Sequence, residues 1–195
     1  AIHRLTGLVT FHGPIARQTF TDYTYSALRS VLMENTADVE LGSPPPFERR
    51  PGSVERENRL QTLVAGSTFG HLVGGNLSLL VAMLGTAYEP LFDKAILVLE
   101  DVDEAPYRID RMLTHLHLAG VFQRVNGVVL GKFTNSYTEN PSLSLGELFT
   151  ERFETLNIPV LRGLMIGHVS DQATLPIGAK AYLDSSKLSL RSAGA

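Results

Sequence analysis

The 195 residues carry 17 Lys plus Arg against 20 Asp plus Glu, 44% hydrophobic residues and no Cys. That length and apolar content suit one large domain with a real core, and the dispersed charge offers no basic face for nucleic acid. The lack of Cys excludes a disulfide framework and a thiolate metal site, and no apolar run reaches the length of a membrane span or reads as a signal peptide, so an intracellular protein is expected.

In chain order, "AIHRL" (Ala1 to Leu5) has the pattern of a final helical turn stopped at Thr6 and Gly7. Because roughly 12 residues are needed for even a marginal isolated helix, the helix is expected to begin upstream and the sequence to be the C-terminal portion of a longer protein. "LVTFH" (Leu8 to His12) reads as a strand, and Gln18 to Glu34 as a helix with Phe20, Leu28, Val31 and Leu32 on its apolar face. Gly42 to Gly52, "GSPPPFERRPG", has too many prolines for a regular element and reads as a linker. Then come a strand at Gln61 to Ala65, a Gly-rich loop at Gly66 to Asn76, a helix at Leu77 to Leu84 and a strand at Ala95 to Leu99. A helix at Pro106 to Leu118, a strand at Gly127 to Gly131, a helix at Leu145 to Leu156, a strand near Pro159 to Leu161 and two short terminal strands complete the chain. The alternation predicts an α/β layered fold with a largely parallel sheet and no internal repeat.

Four carboxylates, Glu100, Asp101, Asp103 and Glu104, crowd the end of the apolar run Ile96 to Leu99. Pro106 suits a first helical position, and acids just ahead of it favour the positive helix end by ~0.3 to 1 kcal/mol each, which accounts for Asp103 and Glu104. Glu100 and Asp101 follow a strand that reads as central and buried, where α/β sheets place their ligand sites. A carboxylate there needs a donor. His3 lies in the terminal stub, and His115 and His117 face different sides of one helix. His12 and His71 fall in Gly-containing segments and His168 follows Gly167 where a strand gives way to a loop; each is open to a structural or a functional role. The segment Gly66 to Asn76 lacks both the phosphate-loop ending and the G-x-G-x-x-G spacing, so nucleotide binding is unsupported. Asn76 reads there as a helix N-cap, with anion contact by the preceding glycines a lesser alternative.

Taken together and in order, "TFHGP" (10 to 14), "GGNLSLL" (74 to 80), "LEDVDEAPYRIDRML" (99 to 113), "GVVLGKF" (127 to 133) and "GH" (167 to 168) resemble the LD-carboxypeptidase family of serine peptidases. That family includes the muramoyl-tetrapeptide carboxypeptidases and the microcin C self-immunity proteins. The resemblance implies a Ser/His/Glu triad in which Glu100 matches the Glu and His168 the His. It implies no metal or other cofactor. The family's nucleophile stands on a Gly-Tyr-Ser-Asp type turn in an N-terminal lobe, and nothing here matches it: "GSTFG" around Ser67 is no G-x-S-x-G elbow, and Ser26, Ser43 and Ser53 lack the motif. On this basis residues 1–40 are expected to be the tail end of the nucleophile lobe, 41–59 a linker and 60–195 the C-terminal domain of a two-lobe enzyme. The implied activity is cytoplasmic hydrolysis of the bond between an L-centre and a terminal D-amino acid in murein tetrapeptide, with a murein peptide as partner, no nucleic acid or membrane, and a homodimer as the assembly. The alternatives are a serine amidase of the microcin-immunity type and a noncatalytic binding module on the same fold.

Overall fold

The computed structural model describes residues 1–34, 38–46, 58–139 and 142–193. Most of the expected linker, 47–57, lies outside the described residues, as does Ser53. The elements begin with α1 (Ile2–Thr6), β1 (Thr10–His12), α2 (Asp22–Leu32), β2 (Gln61–Val64), β3 (Ser67–Asn76), α3 (Leu77–Ala82) and β4 (Ile96–Val102). They continue with α4 (Pro106–Leu118), α5 (Val121–Arg124), β5 (Gly127–Thr134), α6 (Leu145–Phe153), β6 (Val160–Arg162), β7 (Leu175–Ile177), β8 (Lys180–Asp184) and β9 (Ser189–Ser192).

Apolar runs without polar alternation belong to strands covered on both faces, and β4 is one. Leu97 and Leu99 enter a core shared with Leu80, Ile109, Leu113 and Phe149 from the helices, while Ile96 and Val98 enter a second core with Leu161, Ile166, Leu175 and Leu183. Seven strands form the sheet in the order β2-β6-β5-β4-β3-β8-β9, and β1 pairs with β7 apart from it. The middle is parallel, β3 to β4 to β5 to β6, as expected. The flanks are antiparallel: β2 on β6, β8 on β3 and β9 on β8.

The Gly-rich segment after Ala65 is a strand, not a loop. Ser67 to His71 pairs antiparallel with β8, and Leu72 to Asn76 continues parallel to β4. Its glycines mark close backbone approach: a Cβ on Gly70 would lie 2.5 Å from Lys94 O, and one on Gly74 would strike Val98 O. Asn76 is the N-cap of α3, its side chain accepting from Leu79 N at 3.1 Å. The helix expected from Gln18 starts at Asp22, because Thr21 takes the cap position and accepts from Thr24 N.

At the N-terminus, Gly7 closes α1 with φ 73, the left-handed cap that glycine favours. β1 then lies along β7, Thr10 opposite Ile177 and His12 opposite Leu175. The first residues of the expected linker pack on β9: Leu41 is buried and donates to Leu190 O.

Candidate active site

β4 runs three residues past the apolar stretch, so Glu100 and Asp101 sit inside the strand and on opposite faces of it. Asp101 faces the helix layer. Its carboxylate accepts from Asn76 Nδ2 (2.8 Å), Ser78 N (3.0 Å) and Val102 N (2.9 Å), tying the start of α3 to the sheet. Glu100 faces the other layer and is fully buried. Glu104, just ahead of α4, pairs with Arg108 in its first turn at 3.6 Å, whereas Asp103 accepts from Asn135 and ties the loop after β4 to the end of β5; neither side chain caps α4.

A β-bulge shapes the Glu100 side. Leu99 pairs with Leu130 and Asp101 with Phe133, so Gly131 and Lys132 together stand opposite Glu100. Lys132 N donates to Ile166 O at 2.8 Å, which draws the loop after β6 over the end of β4. On that loop His168 Nδ1 lies 3.1 Å from Glu100 Oε2. Gly167 permits the approach, with φ 112 and a Cβ position only 2.7 Å from Glu100 Oε2. The loop is held from its far side by α2. Thr21 donates to Asp171 Oδ1 (2.6 Å), Thr24 Oγ1 donates to Ser170 O (3.0 Å), and Gln172 N donates to Thr24 Oγ1 (2.9 Å).

The fold thus brings together Glu100 and His168, which are 68 positions apart. The His168 side chain is 55% exposed, and its Nε2 has no hydrogen bond to any described residue. It lines a cleft of about 680 Å³ with His12, Gly75, Asn76, Leu79 and Glu100. Ser78 also reaches that cleft, but its hydroxyl donates to Asn76 Oδ1 at 2.7 Å. Among the described residues no serine hydroxyl bonds His168.

The remaining histidines divide. His3 bonds Leu8 O, His71 bonds Leu91 O, and His115 and His117 stay on α4, none of them at Glu100. His12 is different: its Nε2 lies 4.0 Å from Glu100 Oε1. Burial pushes the His12 imidazole below its ordinary value, opposed by the Glu100 charge and reinforced by His168. Its placement comes from the β1–β7 pairing, for which "TFHGP" gives no local signal beyond a short strand. Among the described residues no group of three or more His, Asp or Glu is arranged to hold a metal ion. The arrangement is a buried carboxylate orienting an imidazole whose other nitrogen is available for proton transfer.

Residues 69–183 match the family model of the LD-carboxypeptidase C-terminal domain. The chain belongs to the LD-carboxypeptidase family. The "Probable murein peptide carboxypeptidase" of Bacillus subtilis is 36% identical over 190 residues, covering 96% of this chain and 56% of that protein. Among solved structures, MccF in complex with glutamyl sulfamoyl guanosine superposes with a TM-score of 0.83 at 25% identity, covering 100% of this chain and 63% of that one. A muramoyltetrapeptide carboxypeptidase from Oxalobacter formigenes gives 0.74 at 28% identity, covering 94% and 60%. The chain therefore spans little more than half the length of such relatives.

Proposed function

We propose that this chain supplies the acid–base half of a serine-type LD-carboxypeptidase that releases the terminal D-amino acid of murein tetrapeptide during cytoplasmic cell-wall recycling. In this reading residues 1–40 end the nucleophile lobe, 41–59 link the lobes, and 60–195 form the C-terminal domain. The observation that carries it is the His168 Nδ1 to Glu100 Oε2 contact at 3.1 Å, made by a fully buried carboxylate.

A serine hydroxyl is a weak nucleophile at neutral pH and requires a base. His168 Nε2 removes its proton during attack on the carbonyl joining the L-centre to the D-amino acid. His168 Nδ1–H donates to Glu100, which sets the tautomer and stabilises the imidazolium. The proton then passes from Nε2 to the leaving amine, and a second cycle with water frees the acyl group. The serine and the oxyanion donors come from the N-terminal lobe, which closes the cleft. Exposed Phe11 and Ile15, which line that cleft and fall within residues 1–40, are apolar surface for the rest of this lobe.

The test is D-alanine release from murein tetrapeptide by the intact protein that includes the upstream lobe, with glutamyl sulfamoyl guanosine as competing substrate. Release that is abolished by Glu100→Gln supports the proposal. Cleavage of the sulfamoyl compound alone would replace it with the microcin-immunity activity, and binding without turnover of either with the noncatalytic module.

A further inference from the structure

Glu100 has one oxygen engaged and one stranded. Oε2 meets His168, whereas Oε1 is buried without a hydrogen-bond partner. The nearest complement is equally stranded: His12 Nε2 is buried, unpartnered and 4.0 Å away. A buried carboxylate oxygen without a donor and a buried ring nitrogen without a partner are each costly, and native structures rarely leave both facing one another.

We infer that His12 is a positioning residue for Glu100: its Nε2–H donates to Oε1, so that two histidines hold one buried carboxylate from opposite sides. The inference deepens the reading of Glu100 and His168 as the acid–base pair and rests on it. A small rotation of either side chain converts the 4.0 Å separation into a hydrogen bond. The ring has a defined seat, since a Cβ on Gly75 would lie 3.3 Å from His12 Nδ1. Gly167 confines the carboxylate from the other side.

The titratable groups acting on His12 are Glu100 from β4 and His168 from the loop after β6. β3 presents Gly75 and β7 presents Leu175 to it, neither of which titrates, and Asp101 is turned to α3. At neutral pH His12 is uncharged, because burial disfavours its cation. That neutrality matters for the chemistry. A neutral donor fixes the carboxylate without cancelling its charge, so the charge remains to stabilise the His168 imidazolium; a His12 cation would compete for it.

The experiment follows histidine ring nitrogens by ¹⁵N NMR through a pH titration of the 195-residue chain. In the unsubstituted chain His12 is expected as the Nε2–H tautomer at neutral pH; the Nδ1–H tautomer would overturn the inference without any substitution. His12→Phe removes the donor from Glu100, making the carboxylate a stronger partner for the imidazolium. The proton affinity of His168 should then rise roughly three- to tenfold, about 0.5 to 1 pH unit. His12→Gln restores a neutral donor and should return His168 to its original titration. In a Glu100→Gln background His12→Phe should leave His168 unmoved. An equal shift in that background, no shift with Phe, or no rescue by Gln would each overturn the inference. Because the readout is a proton equilibrium, it stands or falls whether or not the intact protein cleaves murein peptides.

Discussion

Two adjacent carboxylates on β4 lie in opposite surroundings. On the helix side Asp101 accepts three hydrogen bonds and is bound into the α3 N-terminus. On the other side Glu100 has one bonded oxygen, one stranded oxygen and two histidines within 4.0 Å. Both are buried, so burial does not tell the two apart. What separates them is where the donors come from. Backbone amides and a capping Asn make a carboxylate part of the scaffold, whereas titratable rings leave it coupled to a proton that can move.

The contrast is broken most severely at the chemistry. In the intact protein, His168→Ala or Glu100→Gln is expected to lower kcat/KM for murein tetrapeptide by about 10³- to 10⁴-fold, measured by D-alanine release. Glu100→Gln should not lower the urea midpoint much, and a large loss of stability in that variant would make Glu100 structural like its neighbour. Asp101→Ala is the converse. It strands three donors and should cost on the order of 3 kcal/mol in chemical denaturation of this chain, well above the cost of Glu100→Gln. Equal costs would erase the distinction.

Smaller effects sharpen it. Gly167→Ala forces a Cβ to within 2.7 Å of Glu100 Oε2 at φ 112 and should cost roughly 1 to 3 kcal/mol, visible as a lower melting temperature. The smallest effect concerns pH. His12 binds its proton less readily folded than unfolded, so the unfolded chain takes up more protons between the ordinary value of 6.5 and the lowered one. Stability should therefore fall as pH drops below 6.5 and level off once folded His12 is itself protonated. His12→Gln should remove that component from a urea series spanning the window, and an unchanged slope would assign the loss to other groups.

Much of the architecture is legible because period and punctuation agree. Pro106 opens α4 where it should, the Ser144–Glu147 capping box opens α6, and "ILVL" is a doubly covered strand. β3 is hidden because its glycines, placed for contact with Lys94 and Val98, look like a loop when the neighbouring backbone is out of view. β4 reads short because the buried acids Glu100 and Asp101 follow Leu99 within it, which no apolar pattern includes. Position alone marks Glu100 as needing a partner but leaves His12, His71 and His168 to choose among; His168 is singled out by the family resemblance, and the contact depends on a bulge in β5 that no local spacing encodes. The Thr21 and Thr24 anchors of the His168 loop reach across the chain to Asp171 and Ser170, and local sequence is silent about such long-range pairs.

The pairing of β1 with β7 has a dynamic consequence. It is a two-stranded ladder of three residue pairs, outside the seven-stranded sheet, and its strands come from near opposite ends of the sequence. Short ladders at the margin open at lower free energy than the sheet they border, so β1 amides should exchange with solvent faster than those of β4 or β5. His12 leaves Glu100 whenever β1 detaches. The buried carboxylate would then lose one of its flanking rings through a local opening that leaves the core intact, which couples the readiness of the site to the least protected ladder in the fold.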